Sequence, residues 1–118
     1  DGRRILELRR LAREVLVAQP VVEYVAALVL ATHPESEGTP PEAARYIRFG
    51  ASPRGGQAIL LAAKVRALMQ GRCNVSFEDV RAMTLPALRH RIILNFEGEA
   101  EGKSTDDLLA GVLATVRP

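Results

Sequence analysis

Apolar residues recur at helical spacing over most of the chain, and the segments between these runs are short and marked by Pro, Gly or Ser. In residues 3–17, Ile5, Leu8, Leu11, Ala12, Val15 and Leu16 fall on one stripe, while Arg3, Arg4, Glu7, Arg9, Arg10, Arg13 and Glu14 cover the rest. The pattern predicts a leading helix within residues 1–17 with one buried stripe and a solvated, Arg-rich face laced by Arg3/Glu7 and Arg10/Glu14 pairs. Gln19-Pro20 ends that helix and begins another over residues 21–32, apolar nearly all round with Glu23 its only charge. Such a helix belongs inside a bundle, being shorter than the roughly 20 residues a membrane span needs. Its Tyr24 fits the core or its boundary, and an aromatic at a bundle edge also suits a flat base pocket.

The helical period lapses over residues 33–49, where Pro34, Gly38, Pro40 and Pro41 stand among Glu35, Ser36 and Glu37, so a surface loop is expected. A third helix is predicted from Pro53 to Gln70, stopped by Gly71, with Ala58, Leu61, Ala62, Val65, Leu68 and Met69 on its packing side. Residues 72–75 read as a brief extended segment, suited to pairing with residues 46–49. Residues 76–84 form a short helix, and Pro86 begins another carrying Leu88, Ile92 and Ile93 beside Arg89, His90 and Arg91. An acidic, glycine-containing loop over residues 97–102 precedes a last amphipathic helix with Leu108, Leu109, Val112, Leu113 and Val116. The fold class is all-α: a small helical bundle, with at most a very short two-stranded β element. Its parts are the leading helix (1–17), the bundle (18–94), and the acidic loop with C-terminal helix (95–118).

The helix starts differ in chemistry. Ser76 is followed three residues later by Asp79, with Val75 and Val80 placed as a hydrophobic staple, and Ser104 is followed by Asp106 and Asp107. Both starts are built for stability. At the third helix, Ser52 is the N-cap and Pro53 the first helical residue, but the first turn holds Arg54, Gly55 and no acid. A cation there opposes the helix dipole, and each glycine costs about 1 kcal/mol against alanine. An anion, phosphate above all, would satisfy both the bare N–H groups and the guanidinium. The same residues also fit a plain loop-to-helix junction with Arg54 in solvent.

Composition narrows the choices further. The 118 residues make one domain with 47% hydrophobic and only 4% aromatic residues. A net charge of +2 does not argue for nucleic acid as a partner. The lone Cys73 excludes an internal disulfide, suits a reducing, cytoplasmic setting, and reads as a small packed residue rather than a nucleophile. His33 and His90 have no Cys or acid at metal-ligand spacing, so no metal site is expected. There is no GxxxxGK[ST] loop and no Ser/His/Asp or Cys/His set, so the chain alone is not expected to be an enzyme. It begins Asp1-Gly2 with no signal-peptide pattern and reads as a piece of something longer.

Residues 21–32 (VVEYVAALVLAT), 50–55 (GASPRG), 62–64 (AAK) with Gly71-Arg72, 75–80 (VSFEDV) and 88–91 (LRHR), in that order and spacing, resemble the C-terminal lid domain of MoxR-type AAA+ ATPases. The likeness runs from about residue 17 to residue 93, and the tail after Asn95 is also similar. It implies that Arg54 is the sensor-2 arginine, reaching the terminal phosphate of ATP held on an α/β core. Arg54, with Ser52, Pro53 and Gly55 of the same helix start and Tyr24 at the bundle edge, forms the candidate nucleotide-binding set. The resemblance further implies ATP as cofactor, with Mg2+ held by the core, and no firm binding by the chain alone. The implied partners are that core, neighbouring subunits of a ring and a von Willebrand factor A-domain protein, with chaperone-like remodelling as the outcome. The core's Walker motifs, first sensor and arginine finger are absent from these residues. His33 stands where the family often has Arg after its Ala-Thr pair, and Gly55-Gly56 is plainer than the usual continuation. An alternative reading, a helical protein- or DNA-binding adaptor, would use the Arg-rich leading helix and Arg89 to Arg91. Against it, those cations are interleaved with acids, and no recognition helix carries groove-reading side chains.

Overall fold

A computed structural model describes residues 2–118; Asp1, the first residue of the leading segment, lies outside the described residues. The elements run α1 (Gly2–Arg13), α2 (Gln19–Leu30), α3 (Pro41–Tyr46), β1 (Ile47–Phe49), α4 (Pro53–Met69), α5 (Phe77–Leu88), β2 (Ile93–Leu94), α6 (Phe96–Ala100) and α7 (Thr105–Thr115). This is the expected small helical bundle with one two-stranded element. Helices α4 and α5 form its central pair; α1 and α2 lie against α4, and α7 closes the other side against α3 and α5. Leu28, Ile59, Val80, Leu88, Leu109 and Val112 are fully buried where these helices meet.

Local signals set the ends of α4. Pro53 stands in its first turn, and Gly71, at φ 73°, follows its C-cap in the left-handed region that glycine tolerates. The buried face of α4 is not the expected one. Gly55, Ile59, Ala63 and Ala67 form the buried stripe, while Leu61 and Met69 are exposed. Helix α4 is apolar on more than one side, and the small residues of the buried stripe let a neighbour approach closely.

Four further expectations need correction. Helix α1 stops at Arg13, and of its predicted stripe only Ala12 and Val15 are buried; Ile5, Leu8, Leu11 and Leu16 are exposed. The chain turns out of the helix because Leu16 pairs in parallel with Asn74, its N–H donating to the Cys73 carbonyl at 3.0 Å while Val75 N–H donates to the Leu16 carbonyl at 3.0 Å. The two extended segments therefore exist with other partners: β1 pairs antiparallel with β2, Ile47 opposite Leu94. Helix α5 runs through Pro86 to Leu88 as one element, held by buried Val80, Thr84 and Leu88, although proline removes one helical donor. The supposed loops at 33–49 and 97–102 contain α3 and α6, the latter capped by Asn95 Oδ1 accepting from Gly98 N–H at 2.8 Å.

Two smaller expectations also change. Helix α2 buries one face, with Val21, Tyr24, Val25 and Leu28 inside and Leu30 outside. Cys73 is exposed rather than packed, since its backbone carbonyl and not its thiol joins the pairing with Leu16. No helix of the described residues is long and apolar enough to cross a membrane.

Candidate functional site

Helix α4 starts differently from α5, α6 and α7. Ser76, Asn95 and Ser104 each accept from backbone N–H groups of the helix they cap, whereas Ser52 makes no side-chain capping bond, and no acid occupies the first turn of α4. The charged side chain in that first turn is Arg54, which is exposed and of the same sign as the positive end of the helix dipole. Arg54 shares a shallow surface depression with Gln57, Ala58, Leu61 and Arg91, so residues from the GASPRG and LRHR segments meet. Two guanidinium-bearing residues beside an uncapped helix start suit a phosphate-bearing ligand. Beside Arg91 an apolar groove continues between α4 and α5, along Ala58, Ala62, Met83 and Pro86.

Gly55 has a packing reason. A Cβ there would stand 2.9 Å from Leu88 Cδ2 and 3.0 Å from Ala51 Cβ, so glycine lets the first turn of α4 seat against α5 without displacing either side chain. Its N–H donates to the Ser52 carbonyl at 2.8 Å. Tyr24 takes the core reading: it is 3% exposed, its ring meets Phe77 edge-on at 5.6 Å, and its hydroxyl accepts from Arg81 Nη1 at 2.8 Å. Ser52 and Pro53 are exposed at the helix start, as expected.

The segment leading into α4 is held from behind by the end of α2. Ala51 N–H donates to Thr32 Oγ1 at 2.9 Å, and His33 Nε2 lies 2.7 Å from the Ala51 carbonyl. A carbonyl only accepts, so Nε2 carries the proton. Thr32 Oγ1 spends its own proton on the Val29 carbonyl at 2.6 Å, leaving its lone pairs for Ala51. Gly50 presses against the same turn: a Cβ would stand 2.7 Å from the Thr32 carbonyl oxygen, which is backbone and cannot swing away. Gly50→Ala is therefore expected to destabilise the domain by about 1–3 kcal/mol, read as a lower denaturation midpoint with an unchanged slope. An unshifted midpoint would mean that this close approach is not needed.

A second polar cluster secures the central helix pair. Asp79 is fully buried, and its carboxylate accepts from Arg66 Nη1 at 2.6 Å and from both Arg72 Nη1 and Nη2 at 2.7 and 2.6 Å. It also closes the capping box of α5, accepting from Ser76 N–H at 2.8 Å while Ser76 Oγ accepts from Asp79 N–H at 3.1 Å. The Arg72 guanidinium, ahead of the Ser76 and Arg66 bonds, holds the Asp79 carboxyl well below the usual carboxylate range against the opposing effect of burial. The acid three residues after Ser76 was legible as a cap. Its two arginines were not, because nothing local ties positions 66 and 72 to it. The placement of Arg54 and Arg91 on one depression and the grip of Thr32 and His33 on Ala51 are equally non-local.

Residues 41–112 match the family model described as the AAA lid domain. Over 112 residues the chain is 33% identical to Chaperone MoxR1 of Mycobacterium tuberculosis, a match covering 95% of this chain and 30% of that protein. It is 48% identical over 54 residues to Protein MoxR of Paracoccus denitrificans, covering 46% of this chain and 16% of that one. The crystal structure of a candidate ATPase from Cytophaga hutchinsonii superposes with a TM-score of 0.89 at 35% identity, over 96% of this chain and 34% of that one. The chain thus spans about a third, or less, of the length of these proteins.

Proposed function

Because the chain belongs to the AAA lid domain family, in its MoxR-related branch, we propose that it closes over ATP bound to an ATPase core and that Arg54 reports the state of the terminal phosphate. The observation that carries this reading is the exposed Arg54 at a long-helix start that, unlike those of α5 and α7, has no side-chain cap, with Arg91 on the same depression. ATP fits the residues present: two arginines and an open helix start offer donors to phosphate oxygens, and no acid lines that depression among the described residues. When bound on the core, ATP supplies a terminal phosphate whose loss on hydrolysis removes a charge facing Arg54.

The chain's own contribution is then positional. Arg54 donates to the phosphate, its backbone stays fixed to α2 and α5, and release of that bond frees the lid to move as a unit. A rigid lid transmits such a change; a loose one would absorb it. The packing of α4 on α5 and the buried Asp79 cluster supply that rigidity. On the same reading Mg2+ is held by the core, and the assembled protein is a cytoplasmic ring with chaperone-like remodelling activity and a von Willebrand factor A-domain partner. The chaperone reading draws on the name of the M. tuberculosis relative.

The isolated chain is expected to show no ATP turnover, because it has phosphate-contacting groups but none that would hold the triphosphate and activate water. At millimolar ATP, amide shift changes should cluster at residues 51–56 and at Arg91. Hydrolysis that survives rigorous purification, or shifts centred elsewhere, rules this reading out.

A further inference from the structure

We propose that Thr32 and His33 are positioning residues for Arg54: gripping both backbone polar groups of Ala51 between them, they fix where α4 begins and so where its guanidinium can reach. This rests on the phosphate-contacting reading of Arg54. The geometry is continuous. Ala51 and Thr32 are fully buried, and the Thr32 hydroxyl bridges Ala51 N–H and the Val29 carbonyl, joining the segment to the last turn of α2. His33, whose own N–H donates to the Leu30 carbonyl at 3.0 Å, reaches across to the Ala51 carbonyl. Its other ring nitrogen faces Glu35 at 3.5 Å.

Only Ser52 and Pro53 separate this grip from Arg54. Proline fixes its own φ, and the Gly55 N–H bond to the Ser52 carbonyl closes the first turn. On the far side of Arg54, Gly55 is seated on Leu88. The Arg54 backbone is thus held from α2 on one side and from α5 on the other, and only the side chain remains free to follow the ligand. Contacts to a phosphate lose strength steeply when the supporting backbone shifts by about 1 Å. Thr32→Val keeps the shape of the side chain but removes the acceptor, leaving a buried N–H without a partner, so the segment must move to find one.

The test uses this lid joined to its ATPase core and measures the preference for ATP over ADP, which a loss of fold alone would leave unchanged in the molecules that remain folded. Thr32→Val and His33→Leu are each expected to lower that preference about fivefold to tenfold. Thr32→Ser and His33→Gln, which keep the acceptor and the N–H, should restore it to within about twofold. In an Arg54→Ala background Thr32→Val should add nothing further, since the two changes act through one contact. If Arg54→Ala lowers the preference and Thr32→Val leaves it intact, the grip on Ala51 is a structural anchor only and the proposal is wrong. If Arg54→Ala itself changes nothing, the phosphate reading falls first and takes this proposal with it. Thermal melting of each variant shows that the compared proteins are folded.

Discussion

Asp79→Ala is expected to destabilise the domain more than Gly50→Ala or any change at Arg54, by about 3 kcal/mol and on the order of 15 °C in melting temperature. Its carboxylate is fully buried, so removing it leaves Arg66 and Arg72 facing each other without a counter-charge and unmakes the capping box of α5. Both guanidinium groups reach solvent, at 29% and 33% side-chain exposure, which places the loss at the low end of the range for broken buried pairs. Asp79→Asn retains one acceptor and should lose roughly half as much. The pH dependence has a definite sign. The folded carboxyl titrates below its ordinary value of 3.8, so its stabilisation is fully present above that value and fades as the pH falls below it. Wild type and Asp79→Asn should therefore converge in stability on acidification. A gap that stays constant through pH 3 would show that the arginines and the Ser76 N–H do not favour the ionised carboxylate over the protonated one.

Arg54→Ala should have the largest effect on function. A charge-assisted hydrogen bond to phosphate is worth about 1.5–3 kcal/mol, so ATP-dependent turnover of the lid joined to its core should fall roughly tenfold to a hundredfold. Arg54→Lys should recover little, because an ammonium does not reproduce the planar fork. The melting temperature of the domain should stay level or rise slightly, since Arg54 is exposed and a cation at a helix start works against the dipole. The two measurements belong together. A variant that melts early yet keeps normal turnover would make Arg54 a structural residue and end the phosphate reading.

What the sequence determined by itself is what short-range chemistry determines. The existence of α2, α4, α5 and α7 followed from apolar periodicity, the starts of α4, α5 and α7 from Pro53, the Ser76–Asp79 box and the Ser104 cap, and the end of α4 from Gly71, because dihedral preferences and capping bonds act within a few residues. The oddity of Arg54 was visible for the same reason: its sign of charge conflicts with a dipole one turn long. Tertiary structure decided the rest. Helix α4 has two apolar faces, so its period was compatible with either, and the small residues Gly55, Ala63 and Ala67 won because they admit α5 at close range. Pro86 reads locally as a helix start, yet burial of Val80, Thr84 and Leu88 carries α5 through it. The partners of Asp79, the shared depression of Arg54 and Arg91, and the hold of Thr32 and His33 on Ala51 link residues 7 to 37 positions apart. No periodicity encodes such pairings; they arise when packed helices bring together side chains whose unpaired burial would cost more than the bonds they find.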